Sequence, residues 1–300
     1  MDHKALIGSL SVEQRNTLTE KSDRQGLIHL ALHWGSIAVL AALVAFGVPG
    51  WQVLLPPLGI LIVFLFTLLH EAVHGTPFRT GWINSVAARV SGFLILLPAD
   101  WFRYFHFAHH RHTQDPEKDP ELATPKPTTP WQYAVHVSGL PIWRGAIQTL
   151  VGNATGHGHH AYVPERGRNK VRREAQAMLA VYAALAALSL ALHSTVLLWV
   201  WIVPALAGQP FLRLYLLAEH GKCPYVANML ENSRTTFTNA LVRLLAWNMP
   251  YHAEHHSYPA VPFHRLPEFH VLIQQHLAIT EHGYGRFNAR YYAAMKRPSV

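Results

Sequence analysis

The 300-residue sequence is short of charge and almost without cysteine. Charged residues make up 14% of it and hydrophobic residues 50%, which is too little charge for the surface of an ordinary soluble protein. Residues 27–69 and 175–212 contain no Asp, Glu, Lys or Arg. We therefore expect a membrane protein whose spanning segments lie in these two windows.

The length of each charge-free window predicts two spanning helices rather than one. Each window has about 40 residues, roughly twice the 20 that a helix needs to cross the hydrocarbon core. GVPG (47–50) and, more weakly, HST (193–195) interrupt the apolar runs, as turns do. The predicted fold is an all-α membrane protein forming a single domain, residues 1–300, with four transmembrane helices in two hairpins. The predicted spans are about 27–47, 51–69, 175–193 and 196–213.

Basic residues predict the orientation of the chain. All 25 Lys and Arg lie outside the charge-free windows, and an even number of crossings places the three remaining segments on one side. The positive-inside rule identifies that side as the cytoplasm. We expect both termini to be cytoplasmic and residues 70–174 and 214–300 to form a helical cap there. The formal charge of +8 then suits anionic lipid headgroups, and no basic-aromatic pattern indicates nucleic-acid binding.

The scarcity of cysteine limits the redox chemistry of the chain. Cys223 is the single cysteine, which excludes an internal disulfide, a cysteine-ligated iron–sulfur cluster and a CxxC pair. The N-terminal sequence lacks the short apolar core and small-residue cleavage site of a signal peptide, so we expect the first span to remain as an anchor. A short chain with no fused donor or retention signal favours a bacterial inner membrane.

Histidine, in contrast, is abundant, with 22 residues against 17 acidic ones. Three groups stand out: His70 and His74 in HEAVH, then His106, His109 and His110 in HFAHH, and His252, His255 and His256 in HAEHH. Spacings of three and four residues place side chains on one face of a helix, and neutral imidazole is a good ligand for iron, zinc or copper. We interpret these groups as metal ligands.

The remaining histidines have weaker patterns. The isolated ones, which we interpret as packed or solvated residues, are His29, His33, His136, His193, His276 and His282. GHGHH (156–160) lies among Gly and Asn residues without helical periodicity, which indicates a loop. His112 lies off the face shared by His106 and His110, so we place it at the rim of the site.

HEAVH fits two kinds of metal chemistry. In a zinc protease, His70 and His74 would bind zinc and Glu71 would act as general base. That site needs only one further ligand, so most of the other clustered histidines would have no role. Eight clustered histidines suit two metals with about four each, and open positions on nitrogen-ligated metals suggest redox iron and dioxygen. A non-catalytic metal-binding receptor or transporter remains a third interpretation.

The three groups resemble the histidine boxes HxxxH, HxxHH and HxxHH of the membrane fatty-acid desaturases and hydroxylases. Order, spacing and placement relative to the apolar windows agree over about residues 60–270. The resemblance implies two irons held by His70, His74, His106, His109, His110, His252, His255 and His256. It also implies a ninth ligand, His220 in LLAEHG, although Leu216 stands where stearoyl-type members have an asparagine.

Metal-bound imidazoles usually donate their second N–H to a carboxylate or carbonyl. We expect supporting residues of this kind among Asp115, Asp119, Glu121, Glu71, Glu254 and Asn248. In this interpretation Glu71 supports the site and is no longer an obligatory base. Aromatic residues near the boxes, which either line a substrate channel or form an interfacial belt, are Trp101, Phe102, Tyr104, Phe105, Trp247 and Tyr251.

The resemblance implies a dioxygen-dependent diiron oxidoreductase that attacks an unactivated C–H bond of a lipid or fatty-acyl chain. We expect a desaturase, while hydroxylases, ketolases and decarboxylases of the same family have similar boxes and remain open. No cytochrome b5-like segment is present. We therefore expect a separate electron donor, a ferredoxin, rubredoxin or cytochrome, on the basic cytoplasmic face.

Overall fold

A computed structural model describes residues 2–158 and 160–295, and most of them are helical. The first nine α-helices are α1 (His3–Ser9), α2 (Val12–Leu18), α3 (Asp23–Ala45), α4 (Leu55–Val63), α5 (Leu65–His74), α6 (Gly81–Leu94), α7 (Ala99–His112), α8 (Pro130–Ser138) and α9 (Leu140–Thr155). The later ones are α10 (Glu165–Ala191), α11 (Val203–His220), α12 (Met229–Asn232), α13 (Ala240–Leu245), α14 (His252–Ser257), α15 (Leu266–Ile273) and α16 (Tyr284–Met295). Short 3₁₀ turns cover Trp51–Leu54, Pro120–Ala123 and Gln274–His276, and a π-helical turn, Leu198–Ile202, leads into α11.

Four helical segments are long and apolar enough to cross a membrane, as the sequence predicted. They are Val12–Ala45, Trp51–His74, Glu165–Ala191 and Leu198–His220. The helices extend beyond the charge-free windows, because charged and histidine residues continue a helix after its apolar part has ended. The second and fourth segments thereby carry His74 and His220 at their C-terminal ends.

A bent pair of helices was not predicted. Helices α6 and α7 meet at an angle of 100° and together are apolar enough to form a broken span or a re-entrant loop. Leu96 at the break has a φ of 58°, and Pro98 begins the next helix as its N-cap. The bend lies within residues 70–174, which the sequence had suggested as part of the cap, and it turns the second histidine box toward the first.

Helices α4 and α11 cross in close contact through two glycines. A Cβ atom at Gly59 would overlap the backbone of Pro204, and one at Gly208 would overlap the backbone of Gly59. Small residues allow such backbone approach in membrane helices. The crossing fixes the direction of α11 relative to α4, and α5 continues from α4 after one residue.

A two-stranded parallel sheet is a small departure from the all-α prediction. Strand β1 (Thr235–Phe237) pairs with β2 (Thr280–His282). Thr235 also forms a bridge with Tyr251, the residue that precedes α14. The sheet therefore fixes the start of the helix that carries the third histidine box.

Candidate metal centre

All nine histidines named as ligands from the sequence lie together, on α5, α7, α11 and α14. The first group consists of His70, His74, His106, His110 and His255, and the second group contains His109, His220 and His256. Within each group, one ring nitrogen per residue lies within 4.8 Å of the others. His252 adjoins the second group, since its Nε2 is 3.0 Å from Nε2 of His220.

Ring nitrogens converge in the first group. The Nε2 atom of His106 lies 2.8 Å from that of His74 and 3.0 Å from that of His110, which is 3.2 Å from Nε2 of His255. His70 is buried, and neither of its ring nitrogens has a hydrogen-bond partner among the described residues. An unpaired buried polar atom is costly, so this donor set fits a metal cation in the centre of the group.

The second group lies directly against the first. Nε2 of His109 is 3.2 Å from Nε2 of His220, and Nε2 of His256 is buried without a hydrogen-bond partner in the described part of the chain. The rings of His110 and His256, one from each group, stack with centroids 4.1 Å apart and planes 8° apart. The two groups therefore form one continuous cluster, and each of them could hold a metal ion.

Carboxylates and one carbonyl orient the imidazoles of the second group. His109 Nδ1 donates to Asp119 Oδ1 at 2.9 Å, and His220 Nδ1 donates to the carbonyl of Asn232 at 3.0 Å. These bonds leave Nε2 of each ring free to bind a metal. Glu121 Oε2 lies 3.3 Å from His109 Nε2, so this carboxylate faces the metal side and is itself a candidate ligand.

Two further glutamates contact the outer side of the third box. Glu71 Oε1 is 3.5 Å from His255 Nδ1, and Glu219 Oε1 is 3.5 Å from His252 Nδ1. Glu71 is fully buried and accepts hydrogen bonds from Thr76 Oγ1 and the backbone N–H of Phe263, each at 3.1 Å. Glu219 was not predicted from the sequence, although its place directly before His220 was a usable signal.

Three of the predicted supporting residues are held elsewhere. Asp115 accepts from the backbone N–H of Glu117 and pairs with Lys118 in a surface turn. Asn248 donates to the carbonyl of Phe263. It does not share a helical face with His252, because α14 begins only at His252. The structure brings neither of them to a ligand histidine.

Glu254 is the third, and it faces away from both groups. Its carboxylate binds Thr235 Oγ1 and His270 Nδ1. Along α14 it lies between His252 and His255, so its side chain leaves the opposite face of the helix. The structure thus gives Glu254 a role in joining α14 to β1 and α15 and does not bring it to the metal centre.

The remaining histidine predictions have mixed outcomes. His112 belongs to neither group. His159 of the GHGHH run lies outside the described residues, and His160 lies against Tyr162 and Trp101. His33 is packed as expected, with Nε2 2.8 Å from the carbonyl of Leu61 and Nδ1 accepting from Trp247.

Of the six aromatic residues, three line a cavity of about 330 Å³ that reaches the metal centre at Glu121 and Glu219. These three are Trp101, Phe102 and Phe105. The other three, Tyr104, Trp247 and Tyr251, do not line it.

Burial sets the protonation of the third box. Desolvation, followed by the neighbouring imidazoles, lowers the pKa of His252, His255 and His256 well below the ordinary value of 6.5. Burial alone would raise the pKa of Glu121, but His109 and Lys126 lower it to about 2. Neutral imidazoles and an ionised carboxylate are the forms that bind metals.

Comparison with known proteins agrees with this chemistry. The sequence profile of the family described as fatty acid desaturase matches residues 49–288, so the chain belongs to that family. Its members form the class that the histidine boxes indicated, and the resemblance is thereby confirmed. The protein is an integral membrane protein and a desaturase-like oxidoreductase.

A particular relative is the dihydrorhizobitoxine desaturase of Bradyrhizobium elkanii. It is 27% identical over 282 residues, which cover 87% of this chain and 78% of that protein. Family membership favours the diiron interpretation of HEAVH over the zinc-protease interpretation.

Proposed function

We propose that the protein is a dioxygen-dependent diiron desaturase that removes hydrogen from an unactivated C–H bond of a lipid or fatty-acyl chain. The observation that carries this proposal is the convergence of nine histidines in two adjoining groups. The first group would hold one iron, and the second group with His252 would hold the other. When bound, the iron pair would supply the redox chemistry with dioxygen that such bonds require.

The protein supplies position and a dry surrounding. Asp119, Glu71 and Glu219 hold imidazole rings in place from the outer side. Phe102 and Phe105 form an apolar wall of the adjacent cavity, which keeps water from the reacting carbon. We expect the substrate carbon to lie in this cavity, between that wall and Glu121.

We propose that an apolar chain reaches this cavity from the bilayer. A second apolar groove of about 950 Å³ lies among α9, α10 and α11, and Trp143 lines both spaces. A lipid or fatty-acyl chain entering from the membrane would pass this side chain. The groove supports the proposed membrane substrate.

The proposed topology places the four apolar segments as two hairpins in a bacterial inner membrane, with the histidine groups and both termini in the cytoplasm. The basic residues support it, because all 25 of them lie outside the charge-free windows and basic residues accumulate on the cytoplasmic side. A separate ferredoxin, rubredoxin or cytochrome would supply the electrons. The start of α10 offers it the cations Arg166, Arg168, Lys170, Arg172 and Arg173, which suit an acidic partner.

Desaturation is the preferred outcome because the relative from Bradyrhizobium elkanii is named as a desaturase. The first test is metal analysis of the purified protein, for which we expect about two irons per chain. A single zinc would contradict the proposal. Mass spectrometry of lipids from expressing cells then identifies the reaction: loss of two hydrogen atoms means desaturation, and gain of one oxygen atom means hydroxylation.

A further inference from the structure

Arg213 is a buried cation in the cavity of about 330 Å³ beside the second group. Only 8% of the residue is exposed, although it lies in the apolar helix α11. Its Nε is fully enclosed and has no hydrogen-bond acceptor among the described residues. A buried charge is costly unless it has a partner, so the missing acceptor at Nε requires an explanation.

The nearest carboxylates do not supply that acceptor. Glu219 and Glu121 attract the guanidinium electrostatically, but no described carboxylate forms an ion pair with it within 4.0 Å. Glu121 is instead 3.6 Å from Lys126 Nζ and 3.3 Å from His109, and Glu219 is 3.5 Å from His252. Both carboxylates are turned toward the metal side of the cavity.

Two more basic side chains line the same cavity. His136 Nε2 is buried and, like Arg213 Nε, has no hydrogen-bond partner among the described residues, whereas Lys126 Nζ pairs with Glu121 at 3.6 Å. Three nitrogen groups thus line one small space together with the apolar side chains of Phe102 and Phe105. Such a combination of apolar wall and a few polar groups is typical of a ligand pocket.

We infer that Arg213, assisted by Lys126, binds a free carboxylate of the substrate. The planar guanidinium presents two parallel N–H groups that match the two oxygens of a carboxylate. The substrate is therefore a carboxylic acid rather than an ester, thioester or hydrocarbon. This inference rests on the proposed oxidoreductase function, and it names the substrate class of that site.

The same geometry limits where the substrate is oxidised. Arg213 and the metal-side residues Glu121 and Glu219 line one cavity of about 330 Å³, near the lower end of small-molecule sites, which span about 300 to 1,000 Å³. The carboxylate and the reacting C–H bond must both fit within it. We therefore expect oxidation at a C–H bond that shares this cavity with the carboxylate.

Binding of octanoate and of its neutral isostere octanamide tests the inference without turnover. The iron-loaded protein in detergent is titrated with each compound, and the change in intrinsic tryptophan fluorescence, to which Trp101 and Trp143 in the cavity lining contribute, reports occupancy. We expect octanoate to bind at least about ten-fold more tightly than octanamide, as charge-assisted hydrogen bonds are the stronger ones. Equal binding of the two by the unmodified protein would overturn the inference.

Variants assign the preference to Arg213. Arg213→Gln should bind both compounds alike, and Arg213→Lys should keep part of the preference for octanoate. Arg144→Gln, which alters an exposed arginine on α9, is the matched control and should behave as the unmodified protein does. An Arg213→Gln protein that keeps both its iron and the full preference would overturn the assignment.

Two further measurements separate the related possibilities. The affinities for palmitate and octanoate are compared, because tighter binding of palmitate indicates a membrane fatty acid and tighter binding of octanoate a small soluble acid. In either case Arg213→Gln should weaken binding of the preferred acid. Iron content is measured on every sample. Iron-free protein would refute the diiron proposal, whereas iron-loaded protein that oxidises neutral lipids without regard to Arg213 would refute the carboxylate site alone.

Discussion

The two histidine groups are held in place by different means. The first group has five imidazoles but one carboxylate contact, that of Glu71 with His255 at 3.5 Å. The second group has fewer imidazoles but is surrounded by Asp119, Glu121, Glu219 and the carbonyl of Asn232. Helix packing therefore positions the first group, whereas hydrogen bonds orient the second. Equivalent substitutions should affect them differently.

We expect the largest effect from substituting two adjacent residues of α14 that belong to different groups. His255 belongs to the first group and His256 to the second. Each alanine variant should lower the iron content from about two to about one per chain and abolish turnover, because a ligand and its metal are lost together. Elemental analysis and oxygen consumption measure both. His112→Ala is the control and should keep both irons; a His255→Ala protein with full iron and turnover would show that the groups are misassigned.

Carboxylate removal should weaken the second group more than the first. Asp119 orients His109 and also accepts the backbone N–H groups of Gln114 and Glu121, whereas Glu71 touches His255 at 3.5 Å. We expect Glu71→Gln to lower iron affinity by about ten-fold and Asp119→Asn by about a hundred-fold, the usual range for such partners. Chelator competition measures the affinities.

The control for these carboxylate variants is Asp115→Asn, since Asp115 contacts no ligand histidine. It should leave iron affinity unchanged. If Glu71→Gln lowered iron affinity more than Asp119→Asn, the proposed difference between the two groups would be wrong.

Acid should destabilise the iron-free protein through the third box. Burial lowers the pKa of His252, His255 and His256 well below 6.5, so below that pH the unfolded chain takes up protons that the folded chain does not. Their stabilising contribution is complete above about pH 6.5 and decreases as the pH falls toward the folded pKa. Each group accounts for at most about 1.4 kcal/mol per pH unit.

Thermal unfolding in detergent at a series of pH values measures this effect. We expect the melting temperature of the iron-free protein to fall below pH 6.5, the ordinary histidine value. Replacing either His255 or His256 by Gln should reduce the slope. A melting temperature that does not change on acidification would mean that these imidazoles are not buried in the neutral form.

The smallest expected effect is shared by both groups. Gly208→Ala inserts a methyl group where α11 crosses α4, and overpacking of this kind costs about 1 to 3 kcal/mol. The melting temperature should fall, and the binding of the two irons should weaken to the same extent. The reason is that α5, which continues from α4, carries ligands of the first group, and α11 carries a ligand of the second. Gly35→Ala, where a Cβ would meet nothing within 4 Å, is the control. Loss of one iron only would contradict this coupling.

Sequence alone was sufficient for the parts of the protein that depend on local pattern. Charge-free windows predicted the apolar helices, three- and four-residue spacings identified the eight histidines of the boxes, and the family resemblance supplied His220; all nine converge. The sequence did not predict the contacts of Asn248 and Glu254. These depend on where α14 begins and on which of its faces a side chain projects from, and the pairing of Thr235 with Tyr251 determines both. Arg213 and the 100° bend between α6 and α7 were missed because they depend on tertiary contacts, whereas Glu219 stands directly before His220 and could have been named from the sequence.

The distance along the chain between members of the first group affects how the protein is made. His74 is synthesised long before His255, yet both belong to the same set of five. At about 5 to 20 residues per second, the early histidines wait on the order of ten seconds or more for their last partner. The apolar helices must therefore enter the bilayer and pack without a complete metal site, so iron is loaded into an assembled protein and does not guide its insertion.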